Sequence, residues 1–512
     1  MGSKERLMEF IKALPEEERE KLTSEKTVAI NGVFKPVLSG DRLESLKELF
    51  LSTPGGEKLT DNGNSIRFAA MHKDKLRYCP AFKNWLIWDD RRWRQDELLE
   101  VRKAADSTVR AIAQMAATLQ DSDKRTAWLS FAAKNEALAK RLAMIEGAKH
   151  LMAIAPTILD VNPWLFNCEN GTLDLRTGEL RPHSPEDYLT KIAPVCYDQA
   201  ATCPRFDQFL DEVFPAQDNS GPDRELIRFV QKLAGYALVG VVTEQIICIS
   251  WGIGANGKST LFNLLAEIMG DYAATTPMDT FLDQRNNQGA TNDLAALRGA
   301  RLVIASEAQA GQRLNESLIK KLTGGELITA RHLYQDFFSF LPQFLTVMMT
   351  NHKPKAKADD EAIWRRLRLI PFLAKFDGAS RDNNLTEKLK QERSGIFRWM
   401  VDGCRLWQEE GLKPPASVEL ATGEYRSEND PFADWLEERC TVAEHLSAKT
   451  TELREDYQRF LGMRGKMNPR LFTNMLKSKG FEVYTSMGVS KTKGIQLAIE
   501  DAFRSQLDSG EI

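Results

Sequence analysis

The chain has 512 residues, 42% of them apolar and 28% charged, which suits several domains with true cores and excludes a disordered chain. Lysine plus arginine total 69 against 72 acidic residues, and the net charge of -3 excludes a uniformly basic nucleic-acid coat while permitting local basic patches or a positive channel. Seven cysteines without a Cys-x-x-Cys pair give neither a disulfide framework nor a zinc ribbon, and the lack of a signal-peptide core or a run of about 20 apolar residues predicts a cytoplasmic protein without a membrane segment.

Residues 1–59 read as a short helical lead-in or tether, with helical patterning over 3–14 and 43–50. The region 60–204 begins with Trp85, Trp88 and Trp93 in short strands around a turn at Asp89 and Asp90, and these indoles are read as packing residues. An alanine-rich helical stretch covers 97–155, after which Asn170-Gly171 and Thr177-Gly178 mark the turns of a hairpin. Between 205 and 375 a helix over 223–240 precedes apolar runs at 246–250, 301–306, 344–350 and 367–372, the alternation of a layered α/β domain. A helical linker, 376–429, leads to a last module, 430–512. There, helices over 432–438, 452–460 and from Asn468-Pro469 onward precede two strands flanking MGVSKTKG, an order that predicts a winged helix.

Gly252, Gly254, Ala255, Asn256, Gly257, Lys258 and Ser259 belong to a full G-x-x-x-x-G-K-[ST] match that follows an apolar strand and runs through Thr260 into an amphipathic helix. Glycines let the backbone N–H groups curl around phosphates, Lys258 reaches the β and γ phosphates of ATP, and Ser259 can hold Mg²⁺. Hydrolysis further needs a carboxylate beyond a neighbouring strand. RLVIASEA supplies Glu307 about fifty residues later, as metal partner or orienter of water, with Ser306 where a second acid often stands. Asn351 ends the strand FLTVMMT and can report the γ phosphate, and Arg365 and Arg366 precede the next strand, where one can serve an adjacent subunit's phosphate.

The order GIGANGKST, RLVIASEA, IKKLTGGELITARHLY, FLTVMMTNHKP and IWRRLRLIPF resembles the superfamily 3 helicases. The particular likeness is to the phage and plasmid primase-helicase branch related to the poxvirus D5 protein and the phage P4 primase. The resemblance covers about residues 60–375, with 60–204 as the helical collar region and 205–375 as an AAA+-like ATPase core. It implies a ring, usually hexameric, with ATP between subunits and single-stranded DNA in the channel. Lys258, Ser259 and Glu307 would form the cis half of the site, Asn351 the sensor, and Arg366 or else Arg365 the trans arginine. The segment after Thr323 would carry the DNA hairpin, with Lys320, Arg331 and His332 as its basic candidates.

The expected function is therefore an ATP-dependent helicase that translocates on and unwinds DNA in replication of a phage, plasmid or mobile element. The alternative is a replication initiator or loader without processive unwinding. The region before residue 60 is too short for a primase, which leaves a separate primase or other replication proteins as candidate partners, and the host cytoplasm is the expected location if phage-encoded. In the last module Arg464, Lys466, Arg470, Lys477, Lys479, Lys491 and Lys493 face only Glu482 between Met463 and Gly494, predicting contact with duplex or origin DNA, with protein docking as the alternative.

Overall fold

The computed structural model describes residues 27–30, 33–36, 40–218, 220–283, 290–306, 311–331, 337–357, 360–376, 382–463, 466–486 and 488–498. The chain divides into two compact units, residues 1–162 with 182–191, and residues 163–181 with 192–512.

In the first unit, strands β1 (Thr27–Ile30) and β2 (Val33–Pro36) pair antiparallel and helices α1 (Gly40–Ser52) and α2 (Asp61–His72) follow. Strands β3 (Leu76–Cys79), β4 (Asn84–Trp88) and β5 (Trp93–Gln95) make a small antiparallel sheet, and α3 (Glu100–Ala117), α4 (Ser122–Lys134) and α5 (Leu138–Ala148) complete the unit. Trp85, Trp88 and Trp93 are all buried, so these indoles build cores. Arg67 is buried too, donating to the Lys58 carbonyl at 3.0 Å and Asn64 Oδ1 at 2.6 Å between the Trp128 and Phe131 rings.

The second unit starts with the hairpin strands β6 (Leu165–Cys168), β7 (Gly171–Asp174) and β8 (Glu179–Arg181), then helices α6 (Pro204–Val213) and α7 (Arg224–Leu238). Its centre alternates β9 (Ile247–Trp251), α8 (Lys258–Met269), β10 (Ala273–Pro277), α9 (Ala290–Ala296), β11 (Leu302–Ser306), α10 (Glu316–Thr323), β12 (Ile328–Ala330), β13 (Phe338–Phe340), β14 (Leu345–Thr350), α11 (Glu361–Trp364) and β15 (Leu367–Pro371). Five strands form one parallel sheet in the order β10-β11-β14-β9-β15, while β12 and β13 pair separately as an antiparallel hairpin. A parallel sheet needs both faces covered, and successive residues supply this. Cys248, Leu302, Ile304 and Val347 enter one core with helices on that side, while Ile247, Ile249, Val303 and Met348 enter the other. Each such fully buried aliphatic side chain contributes about 1.5–3 kcal/mol.

Helices α12 (Leu385–Gln391), α13 (Arg393–Glu410) and α14 (Ala416–Ser427) follow. Thr422 of α14 accepts a hydrogen bond from the Leu369 N–H at 3.0 Å, covering the β15 edge of the sheet. The last module runs α15 (Pro431–Arg439), β16 (Cys440–Lys449), α16 (Thr450–Phe460), α17 (Pro469–Ser478), β17 (Glu482–Ser486) and β18 (Val489–Leu497), with sheet order β16-β18-β17. Two sequence expectations change here. The strand β16 adds a third member to the two expected, and the Ser-Lys-Thr-Lys stretch lies within β18 instead of at the hairpin tip. Lys491 and Lys493 therefore share one sheet face, opposite Tyr484 and Glu482 of β17.

Candidate active site

The sheet order places β9 between β14 and β15, while the chain leaving β9 crosses through α8 to the far edge at β10. Such a switch in direction opens a crevice at the carboxyl ends of the strands, where α/β folds bind ligands. Residues 252–257 occupy that place.

Their conformation is set by close packing. At Gly252 a Cβ would come within 2.1 Å of Asn256 Nδ2 and 2.3 Å of the Phe372 carbonyl oxygen, so a side chain cannot be accommodated there. Gly257 has φ +84°, and a Cβ would meet Val213 at 2.6 Å. Gly254 and Ala255 also have positive φ, and the Ala255 carbonyl accepts from the Phe376 N–H at 2.8 Å. Asn256 is buried and donates to the Phe372 carbonyl at 3.2 Å, pinning the loop to the end of β15.

Lys258 opens α8 and is 5% exposed, with its amine donating to the Gly252 carbonyl at 2.6 Å and to Asn351 Oδ1 at 3.0 Å. Burial lowers its pKa from the usual lysine value. Ser259 is exposed and Thr260 half-buried in the same first turn. An ammonium group, a glycine-rich backbone and a helix amino terminus thus converge, which is the chemistry that holds a polyphosphate. These residues fit a nucleotide polyphosphate with its divalent metal: Ser259 would offer the hydroxyl for such an ion, which would bring charge stabilisation to the phosphates. No group of three His, Cys, Asp or Glu suited to a metal occurs among the described residues.

The structure brings Asn351 to Lys258 and separates the arginines. Arg366 is 7% exposed, its Nε donating to Thr323 Oγ1 at 3.0 Å and its Nη1 to the Ala362 carbonyl at 2.6 Å. Burial, with the adjacent Arg365 charge, lowers its pKa. It is committed to its own subunit, whereas Arg365 is exposed. Glu307 and His332 lie outside the described residues; Ser306, beside Glu307, is exposed at the end of β11. Lys320 is paired with Asp360, and Arg331 stacks over Phe337 at 4.8 Å on the β12–β13 hairpin. Arg470 and Lys477 are exposed on α17, and Lys493 is exposed on β18, while Lys491 is half-buried. Lys479 is paired with Asp430.

Sequence reasoning missed Trp251 and Lys353. The indole N–H of Trp251 donates to the Asn351 carbonyl at 3.2 Å, and Lys353 Nζ lies 4.4 Å from the Trp251 ring centroid and 2.6 Å from Glu428 Oε1. The available signal was position alone, one residue before the glycine loop and two after Asn351.

The fold and crevice define a multidomain mixed α/β protein built on a parallel sheet. Residues 65–215 match the family model described as "D5 N terminal like", and residues 251–366 match "Family of unknown function (DUF5906)". A "Putative helicase" of Acanthamoeba polyphaga mimivirus is 31% identical over 300 residues, covering 54% of this chain and 30% of the relative. A "Putative primase" of African swine fever virus is 25% identical over 314 residues, covering 57% of this chain and 32% of the relative. The A form apo structure of the NrS-1 C terminal region is similar at a TM-score of 0.39 and 13% identity, over 60% of this chain and 77% of that one. The chain spans about a third of the length of these curated relatives. The chain thus carries a D5-type amino-terminal region and is similar to viral proteins named putative helicases and primases. Among the described residues no helix is long and apolar enough to cross a membrane.

Proposed function

We propose that this chain is an ATP-dependent DNA helicase motor of superfamily 3 type, acting in replication as an oligomeric ring, six-membered by family resemblance. The observation that carries the reading is the Lys258 amine, buried at the mouth of the switch-point crevice and hydrogen-bonded to Asn351 across the end of β14. In this reading the backbone of Gly252, Gly254, Ala255, Asn256 and Gly257, with Thr260, cradles the phosphates of ATP. Lys258 neutralises the β and γ oxygens, and Ser259 and Glu307 serve Mg²⁺, which supplies charge stabilisation of the transferred phosphoryl group when bound. Glu307 also orients the attacking water, and Asn351 follows the γ phosphate.

Arg365 is the trans arginine in this account, in preference to Arg366. It sits at the amino end of β15, whereas the glycine loop follows the carboxyl end of β9, and the two strands run parallel. The five residues of β15 span about 16 Å, more than an arginine side chain covers, so Arg365 serves a neighbour's nucleotide.

Single-stranded DNA passes the β12–β13 hairpin, where the Arg331–Phe337 stack offers charge and a ring face without base preference. The last module acts as a winged helix on duplex DNA through Arg470, Lys477, Lys491 and Lys493. The experiment is ATP turnover by the full chain with and without single-stranded DNA. Turnover should rise with DNA and fall at least about 100-fold in Lys258→Ala; equal turnover in the variant would refute the reading.

A further inference from the structure

The turn after β14 is clamped from two sides. Thr350 Oγ1 accepts from the His352 N–H at 3.0 Å and donates to the His352 carbonyl at 2.6 Å, which folds the chain back at Asn351. On one side stand Lys258, bonded to the Asn351 side chain, and Trp251, bonded to the Asn351 carbonyl. On the other stands the carboxyl end of α14. Tyr425 donates its hydroxyl to the Pro354 carbonyl, Glu428 pairs with Lys353 at 2.6 Å, and Asn429 Oδ1 accepts from the Ala356 N–H at 3.0 Å.

Lys353 is where the two sides meet. Its ammonium lies over the Trp251 ring and against the Glu428 carboxylate, with the lysine side chain only 13% exposed. A cation held by a ring face and a carboxylate together fixes its stem far better than an exposed ion pair does. The same helix end continues to Asp430, which caps α15 through the Phe432 and Ala433 N–H groups and pairs with Lys479 after α17. One turn earlier, Arg426 pairs with Glu361 at 2.6 Å, on the helix directly before Arg365.

We propose that Lys353 is a positioning residue of the nucleotide site: bridged between Trp251 and Glu428, it holds the Asn351 turn and ties it through α14 to the last module. The inference rests on the nucleotide-site reading above. Phosphate oxygens of a bound triphosphate compete with Gly252 and Asn351 for the Lys258 amine, so binding alters the hold on this turn. The Lys353–Glu428 bridge passes that change to α14, and Asp430 passes it to α15 and α17.

The test is hydrogen–deuterium exchange of the full chain as wild type, Lys353→Met, Lys353→Arg and Glu428→Gln, with ATP turnover measured on the same samples. Without nucleotide, amides of residues 351–356 should exchange about 10-fold faster in Lys353→Met and Glu428→Gln than in the wild type, and near the wild-type rate in Lys353→Arg. With a slowly hydrolysed ATP analogue, protection changes in residues 431–439 and 469–478 should appear in the wild type and Lys353→Arg and vanish in the other two. kcat should fall about 10-fold in Lys353→Met with KM changed less than about 2-fold. Glu428 is an exposed position, so its variant decides the matter even if Lys353→Met does not fold. Unchanged exchange at 351–356 in Glu428→Gln, or a Lys353→Arg variant no better than Lys353→Met, would overturn the proposal. Failure of the ATPase reading would register separately, as a wild type without turnover whose exchange at 351–356 still responds to the substitutions.

Discussion

Lys258 and His72 illustrate how burial sets charge in this protein. His72 packs on Phe68, its Nε2 lies 3.1 Å from the Ala104 carbonyl and 3.0 Å from Thr108 Oγ1, and burial lowers its pKa from 6.5 to about 4. Between those values the unfolded chain binds a proton that the folded chain does not, so stability rises with pH across the window and is lost as pH falls. The loss amounts to about 3 kcal/mol from this residue by the bottom of the window. Thermal unfolding between pH 6.5 and 4 should therefore flatten in His72→Gln relative to the wild type. An identical pH slope in both would contradict the assignment. The glycine loop was legible because its chemistry lies in one short contiguous stretch. The choice between Arg365 and Arg366 was not, since adjacent residues at a helix end differ in direction, and only the fold turns Arg366 onto Thr323. Lys353 was not singled out from the sequence because its partners, Trp251 and Glu428, lie far away along the chain.

Among the elements, α7 and α13 cross closely because glycines stand at the contact. A Cβ on Gly235 would approach the Cys404 nitrogen to 2.0 Å, and one on Gly403 would approach the Gln231 carbonyl oxygen to 2.1 Å. Backbone meets backbone there, with no flexible side chain to yield. Gly403→Ala should cost about 3 kcal/mol, read as a lowered denaturant midpoint with unchanged slope. A midpoint equal to the wild type would show that the helices can separate freely. Four strands of the parallel sheet were visible as apolar runs, while β10 was not, because AATTP has no such run and its residues are mostly half-buried or exposed. The strand β16 escaped for the same reason: all ten of its residues are exposed or half-buried, so neither face imprints an alternation. Within the linker, the packing role of α14 was hidden in a polar stretch after Pro414 and Pro415, yet it covers the sheet edge through Thr422.

At the scale of the whole molecule, the account requires that one subunit complete another's site. Lys258 and Arg365 lie at opposite ends of parallel strands, so in this account they serve different sites of an assembly. Lys258→Ala and Arg365→Ala should each be inactive alone. Mixed and allowed to exchange subunits, they should regain ATP turnover, because some interfaces then pair an intact Lys258 with an intact Arg365. No recovery on mixing would place both groups in the same site. The net charge of -3 hid this arrangement, since the cations that matter are few and local.

The central claim is that ATP hydrolysis at Lys258 drives movement along DNA. The direct measurement is strand displacement by the full chain on forked duplexes with a 3′ or a 5′ single-stranded arm, beside Lys258→Ala. The account predicts ATP-dependent displacement from one arm only, abolished by the substitution. DNA binding and ATP turnover without any displacement, at concentrations where the subunits assemble, would contradict it and leave a loader.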